Sequence, residues 1–305
     1  MCSKLIWIIS LFIMVGLTIF YLWPVPRVAF EQLYAQADRS IVQALVSFRN
    51  AHPPKQIQVD GMNWEYLVTG GGIGTIVFLH GMTGAYDIWW QQINAFEGQF
   101  RIISVTYPPV QDLAGLEKGL IAILEKEGIQ KFNLVGTSLG GYFAQYLMGR
   151  HPERIQRAVL SNTFPPNDLL AEKNRVLGSI VPLMPEWLVI SVFRGNFKKT
   201  IYPASGNDQF TLAFLNEISY GRMSKAQLVG RYYCVIEKFS VTTPTMPILI
   251  IESDNDPLVE LTLREQLKAT YPEAIVYTFS SAGHFPYLNR PQEYTDVLID
   301  FFSQP

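Results

Sequence analysis

The sequence predicts an α/β protein: a mostly parallel sheet with helices on both faces and a helical cap inserted late in the chain. Three observations predict it. Short β-branched apolar runs alternate with helical periodicities, at spacings too long for hairpins, which is the pattern of parallel strands joined by crossover helices. The run Asn133-Leu134-Val135 stops at Gly136-Thr137-Ser138-Leu139-Gly140, a G-x-S-x-G set between a strand and a helix. The alternation breaks off at Asn162 and resumes at Pro247, with mostly helical sequence between them.

The 305 residues suffice for one large α/β domain or two small ones. Charged residues make up 16% of the chain and the net charge is −2. With no basic excess to neutralise phosphates, nucleic acid is excluded as a partner. Two cysteines, Cys2 and Cys234, make no disulfide framework, and neither has the neighbours of a metal site. Nothing in the sequence specifies a protein partner.

Leu5 to Trp23 is an uncharged run of 19 residues. At about 1.5 Å per residue it nearly spans a hydrocarbon core of about 30 Å. Trp7, Tyr21 and Trp23 lie near its ends, where interfacial aromatics are favoured. A cleaved signal peptide has an apolar core of about 7–15 residues and a small-x-small site. This run is longer and ends in Tyr21-Leu22-Trp23-Pro24. Residues 1–27 are therefore expected to form an N-terminal transmembrane anchor, making this a single-pass membrane protein. Lys4 against Arg27 gives no charge asymmetry to orient it.

Residues 28–54 are expected to be an amphipathic helix and linker. Apolar residues at 30, 33, 34, 37, 41, 44, 45 and 48 predict one helix from Phe30 to Phe48. Its polar face lacks the Lys/Arg excess of a membrane-surface helix, so packing on the main domain is expected. His52-Pro53-Pro54 ends it.

Residues 55–305 form the expected main domain. Gln56–Asp60 and Trp64–Thr69 read as strands joined by a turn at Gly61. Thr75–Leu79 is a buried-type strand ending in His80-Gly81-Met82-Thr83-Gly84. A helix over Tyr86–Phe96, a strand over Arg101–Thr106 and a helix over Leu113–Glu127 follow. The Phe132–Val135 strand leads into the serine turn, a helix over Leu139–Gly149 and a strand over Gln156–Ser161. Residues 163–243 are the expected cap, broken by Pro165, Pro166, Pro182, Pro185 and Pro203. Within it Leu183, Met184, Trp187, Leu188, Val189, Ile190, Val192 and Phe193 are expected to build mainly the cap's own core, with an acyl pocket lined by some of them as the alternative. A strand over Pro247–Glu252, a helix over Glu260–Tyr271, a strand over Ala274–Phe279 and a helix over Gln292–Phe302 complete the chain.

The turn at Ser138 is so tight that side chains two residues either side of it would collide with its neighbours, which calls for glycine at both. The serine hydroxyl is then exposed beside the positive end of the next helix. A free serine is a weak nucleophile and needs a general base. Among four histidines, His52 lies in the linker, His80 at a strand end, and His151 in an apparent surface turn. His284 follows the final strand, at the carboxyl end of the sheet where sites gather, and is the expected base. Asp254 and Asp256 both qualify as the carboxylate that orients it; Asp256, at the foot of the next helix, is preferred. The oxyanion donors are expected to be the amides of Leu139, directly after the serine, and Met82, after His80-Gly81. This chemistry needs no cofactor or metal.

His80-Gly81, Gly136-x-Ser138-x-Gly140, Asp256-Pro257-Leu258-Val259 and Gly283-His284 occur in the order and spacing of the α/β-hydrolase superfamily, which the chain resembles over about residues 56 to 305. A closer resemblance is to the maspardin family. It rests on Tyr107-Pro108, on Gly136 to Gln145 (GTSLGGYFAQ), on Asn162-Thr163-Phe164, on Leu183-Met184-Pro185 with Gly195-Asn196-Phe197, and on Phe285-Pro286-Tyr287-Leu288. The superfamily resemblance implies an α/β-hydrolase fold and a serine hydrolase acting on carboxylic esters, with thioesters and amides open to the same triad. With an anchor beside the domain, the expected substrate is a small-molecule or lipid ester. The maspardin resemblance implies a rival role, binding or trafficking with weak or no turnover, because some of those proteins have lost the base. This chain keeps His284 and adds the apolar N-terminal segment that maspardin lacks.

Overall fold

The computed structural model describes residues 2–304 apart from Ile73, with side chains from Lys4 onwards. Its centre is an eight-stranded sheet in the order β1-β2-β4-β3-β5-β6-β7-β8. The strands are β1 (Lys55–Val59), β2 (Met62–Thr69), β3 (Gly74–Leu79), β4 (Phe100–Thr106), β5 (Phe132–Thr137), β6 (Ile155–Ser161), β7 (Ile248–Ser253) and β8 (Ile275–Phe279). β1 and β2 form an antiparallel hairpin, and β2 runs antiparallel to β4. Every pairing from β4 to β8 is parallel. The hairpin turns through Asp60 and Gly61, with φ of 50° and 75°. Two successive left-handed residues match the twist of the strands they join.

Successive strand residues face opposite sides, so each buried strand feeds two cores. Ile76 and Phe78 of β3 pack with Trp89, Ile93, Leu298 and Phe301 on one face. Val77 and Leu79 pack with Leu116, Leu120, Phe143 and Leu147 on the other. The all-apolar runs of the central strands follow from this double burial. Parallel strands all end on the same side, and the loops after β3, β5, β6, β7 and β8 converge there. The cap, with helices Leu169–Ile180, Glu186–Asn196, Gln209–Glu217 and Lys225–Ile236, is inserted between β6 and β7. Cys234 in the last of these is buried and unpaired; the side chain of Cys2 lies outside the described residues.

The expected single helix over Phe30–Phe48 is instead two pieces, Phe30–Leu33 and Arg39–Ala51. The break has a local cause. Asp38 takes extended backbone and its carboxylate accepts the Ser40 and Ile41 amides at 2.7 and 3.4 Å, starting a new helix. Periodicity ran on through residues 34 and 37 because both are buried against the domain, although neither is helical. Leu45 and Phe48 are buried in the domain's core. Arg49 ties the segment down, bonding Asp87 at 2.8 Å and Glu217 of the cap at 2.9 Å. A further helix, Pro286–Asn289, lies where the sequence reading had none.

Among the described residues, one helix, Cys2–Tyr21, is long and apolar enough to cross a membrane, and residues 4–21 are not buried by the rest of the protein. Its end touches the cap: Trp187 Nε1 donates to the Phe20 carbonyl at 2.9 Å, and the two rings meet edge-on.

Candidate active site

Ser138 follows β5 directly and precedes the helix Leu139–Arg150. Its backbone sits at φ 53°, ψ −120°, a conformation an L-residue adopts only when its surroundings hold it. The holding contacts are explicit. Ser138 N–H donates to Ser161 O of the adjoining β6 at 3.0 Å, and Thr163 Oγ1 donates to Ser138 O at 2.6 Å. A Cβ at Gly136 would lie 2.3 Å from Gly140 O, and one at Gly140 would lie 2.1 Å from Leu79 O. The glycine pair is therefore a packing requirement of the turn. The Ser138 hydroxyl is half-buried and unbonded among the described residues.

His284 lies on the loop after β8. Its Nδ1–H donates to Asp256 at 2.8 Å to Oδ2 and 3.0 Å to Oδ1. In the neutral ring this leaves Nε2 as the unprotonated, basic nitrogen. Burial pushes the Asp256 carboxyl up, but His284, Asn162 and the Leu258 amide outweigh it and hold it below the ordinary carboxylate value. Asp254, the other candidate, serves the loop instead. Its carboxylate accepts the Ser281 amide at 2.7 Å and the Ser280 hydroxyl at 3.2 Å. Asn255 Oδ1 accepts the Gly283 amide at 2.8 Å, so residues 254–256 and 280–284 are laced together.

In the sequence Asn162 marks the point where the strand pattern stops and belongs to the maspardin-like Asn162-Thr163-Phe164, with no role in the site assigned to it. Its Nδ2 donates to Asp256 Oδ2 at 2.8 Å and lies within reach of Ser253 Oγ and Gly283 O. It sits at φ 43°, in the left-handed region that asparagine tolerates better than most residues. A polar residue at a strand's carboxyl end was the available signal.

The loop after β3 makes the opposite wall. A Cβ at Gly81 would stand 3.0 Å from Ser138 Cβ, so a larger residue here would have to displace the serine. His80 is fully buried. It accepts the Tyr107 amide at Nε2, 3.3 Å, and so donates from Nδ1 to Gly81 O at 2.6 Å. Burial and the nearby Arg231 push its pKa well below the usual histidine value, so it stays neutral. Arg231, from the cap, is buried too. Its guanidinium donates to three carbonyls, Met82 O at 2.8 Å, Tyr107 O at 3.0 Å and Gly84 O at 3.1 Å. Burial lowers its pKa to about 10, which leaves it charged at neutral pH. Carbonyls of this loop are thus held by His80 and Arg231, while the Met82 N–H has no acceptor among the described residues. Leu139 N–H heads its helix, where an amide has no carbonyl one turn earlier. Sequence reasoning missed Arg231 because its carbonyl partners lie 124 to 149 residues away in the chain.

Ser138, Met82 and His284 line one cavity of about 280 Å³, together with Phe164, Phe193 and Leu258. The remaining histidines are elsewhere. His52 bonds Glu97 and His151 bonds Glu117, each at 2.7 Å. No cluster of three or more His, Cys, Asp or Glu able to hold a metal occurs among the described residues.

Residues 116–233 match the family model described as alpha/beta hydrolase fold. Maspardin of Danio rerio is 25% identical over 256 residues, covering 81% of each chain. The chain has an α/β-hydrolase fold and resembles maspardin. An sn-1-specific diacylglycerol lipase of Mus musculus is 23% identical, covering 92% of this chain and 98% of its own. Among solved structures, a hydrolase from Pseudomonas aeruginosa superposes with a TM-score of 0.71 at 19% identity, covering 83% of this chain and 99% of its own. In these α/β-hydrolase terms, the serine turn after β5, the carboxylate after β7 and the histidine after β8 stand in the order of the fold's nucleophile, acid and base.

Proposed function

We propose that this α/β-hydrolase is a serine hydrolase that cleaves carboxylic esters, held at a membrane by its N-terminal helix. The observation that carries the reading is the fixed Asp256–His284 pair facing the cavity into which the strained Ser138 turn presents its hydroxyl. Ser138 Oγ attacks the acyl carbon while His284 Nε2 takes its proton. Asp256 keeps the ring in the required tautomer and stabilises the imidazolium that forms. The amides of Met82 and Leu139 receive the oxyanion, with the Met82 loop pre-set by His80 and Arg231. The alcohol leaves with the proton from His284. Water, activated by the same nitrogen, then releases the acid from the acyl-enzyme. Length and apolarity of Cys2–Tyr21 support the anchor.

A fluorophosphonate probe tests the chemistry. Wild type is expected to label covalently and Ser138→Ala is not. The likeness to maspardin favours a second reading, a binding protein with an idle site; absence of labelling in folded wild type, with and without membranes, would establish it over the first. Retention of the full chain in the membrane pellet after alkaline carbonate extraction is expected. Release into the supernatant would remove the anchor.

A further inference from the structure

Most of the cap's apolar run from Leu183 to Phe193 is buried or half-buried, as expected of a cap core, but part of it is not. Val189 and Ile190 are buried, but Leu183 and Val192 are 75% and 61% exposed. Val176, Leu177 and Ile180 of the preceding helix are 65%, 58% and 47% exposed. Single exposed apolar residues need no explanation, whereas a cluster on one element does. Beneath this cluster lies a second chamber of about 320 Å³. Its walls include Leu177, Val181, Met184, Val189, Val192 and Leu228. It shares Met82, Asn174, Phe193 and Asn196 with the cavity at Ser138, so the two chambers abut. Leu177 and Val192 both line the chamber and face solvent, which puts its mouth within the exposed apolar cluster.

The position of that cluster is set by the N-terminal helix. Trp187 bonds Phe20 O at 2.9 Å, and the Lys225 ammonium stands 5.6 Å over the Tyr21 ring. The same ammonium donates to Pro182 O and Met184 O at 3.0 and 2.8 Å, joining the chamber wall to the end of the helix. That end carries Tyr21 and Trp23, residue types that settle at a bilayer interface. A helix spanning the bilayer therefore delivers the cap to the bilayer surface.

We propose that the cap seats on the bilayer through Val176, Leu177, Ile180, Leu183 and Val192, and that a long acyl chain of a membrane-resident ester passes from the bilayer between Leu177 and Val192 into the apolar chamber, bringing its carbonyl to Ser138. The inference rests on the serine hydrolase and anchor readings above and adds the substrate class and its route. Burial of the cluster in the acyl boundary and of the chain in the chamber both remove apolar surface from water.

The test uses the full chain in phosphatidylcholine vesicles. In a Cys2→Ser background, Leu183→Cys carrying an environment-sensitive fluorophore is expected to be quenched by brominated lipids. The same fluorophore at Lys131→Cys, exposed at the other end of the strands, is not. No quenching at position 183 would overturn the docking and assign the cluster to a protein partner instead. For the route, hexadecyl and ethyl fluorophosphonates are compared. Val192→Trp, with an unchanged melting temperature, is expected to slow labelling by the hexadecyl probe at least tenfold more than labelling by the ethyl probe. Leu177→Trp should do the same. Equal slowing of both probes, or wild type that accepts only the ethyl probe, would overturn the route. If wild type reacts with neither, the nucleophile reading fails and the route with it, while quenching at position 183 still decides the docking.

Discussion

Asp87 and Asp256 are both buried carboxylates held below the ordinary carboxylate range, but their partners differ in kind. Asp87 lies between two guanidinium groups, Arg49 and Arg222, each at 2.8 Å. Burial pushes its carboxyl up, and these permanent cations overcome that. Asp256 faces an imidazole ring in place of a guanidinium, together with an asparagine and two backbone amides. The first arrangement is static. It locks three segments that are distant in sequence: the helix Arg39–Ala51, the loop after β3, and the cap through Arg222 and Glu217. The second leaves one partner free to accept a proton from elsewhere. A buried carboxylate between fixed cations thus supports architecture, and one against a titratable ring supports chemistry.

The sharpest way to break this comparison is to neutralise each carboxylate in turn. Asp256→Asn is expected to lower ester turnover by about ten thousandfold, because the amide favours the wrong tautomer of the ring. Its stability cost should stay below that of Asp87→Asn, because the amide oxygen can still accept the Leu258 and Val259 amides. Asp87→Asn is expected to do the reverse. It leaves two guanidinium groups facing each other with Glu217 as their remaining salt-bridge partner, at a cost of about 3 kcal/mol by denaturant unfolding. Turnover measured well below the melting temperature should stay near wild type. A large rate loss in Asp87→Asn would erase the distinction.

Smaller effects sharpen it. Asn162→Ala removes a donor to a charged carboxylate and is expected to cost about 1.5–3 kcal/mol of transition-state stabilisation, roughly a 10–100-fold loss in kcat/KM. Acid titration of stability tests the static site. The Asp87 pKa is depressed in the native state, so its contribution is full above about pH 4 and is lost as the pH falls through the native value. Asp87→Asn should therefore flatten the loss of stability below about pH 4. The smallest change is expected from Asp254→Ala, which loosens the loop at Ser280 and Ser281 without touching the ring. Turnover should fall by less than about tenfold, the equivalent of about one neutral hydrogen bond. A loss as large as that of Asp256→Asn would mean that the loop, rather than the carboxylate–imidazole bond, carries the effect.

Much of this fold was legible in the sequence. The β-branched runs of β3 to β7 sit within a residue or two of their expected bounds, because strands buried on both faces have little choice of composition. The serine turn was legible from its own short spacing, since Gly136 answers to Gly140 four residues on, although Gly140 also makes room for Leu79 O of β3. Where a local cap or long-range packing competed with the apolar period, pattern and structure part. Periodicity from Phe30 to Phe48 was genuine burial, but the capping carboxylate of Asp38 broke the helix. The cap's apolar residues were divided between core and surface by packing that no local period encodes.

By itself the sequence determined the strand–helix alternation, the glycine-flanked serine, the order of serine, aspartate and histidine, and the long apolar run at the start. Each is written in neighbouring residues, through side-chain period, turn sterics or helix length. Tertiary structure alone decided that Asp256 meets His284 while Asp254 laces a loop, that Asn162 and Arg231 hold the two walls of the cavity, and that the cap opens an apolar chamber beside the end of the N-terminal helix. Those arrangements depend on which distant segments the sheet brings to one edge, and a hydrogen bond between residues 149 positions apart leaves no periodic trace in the chain.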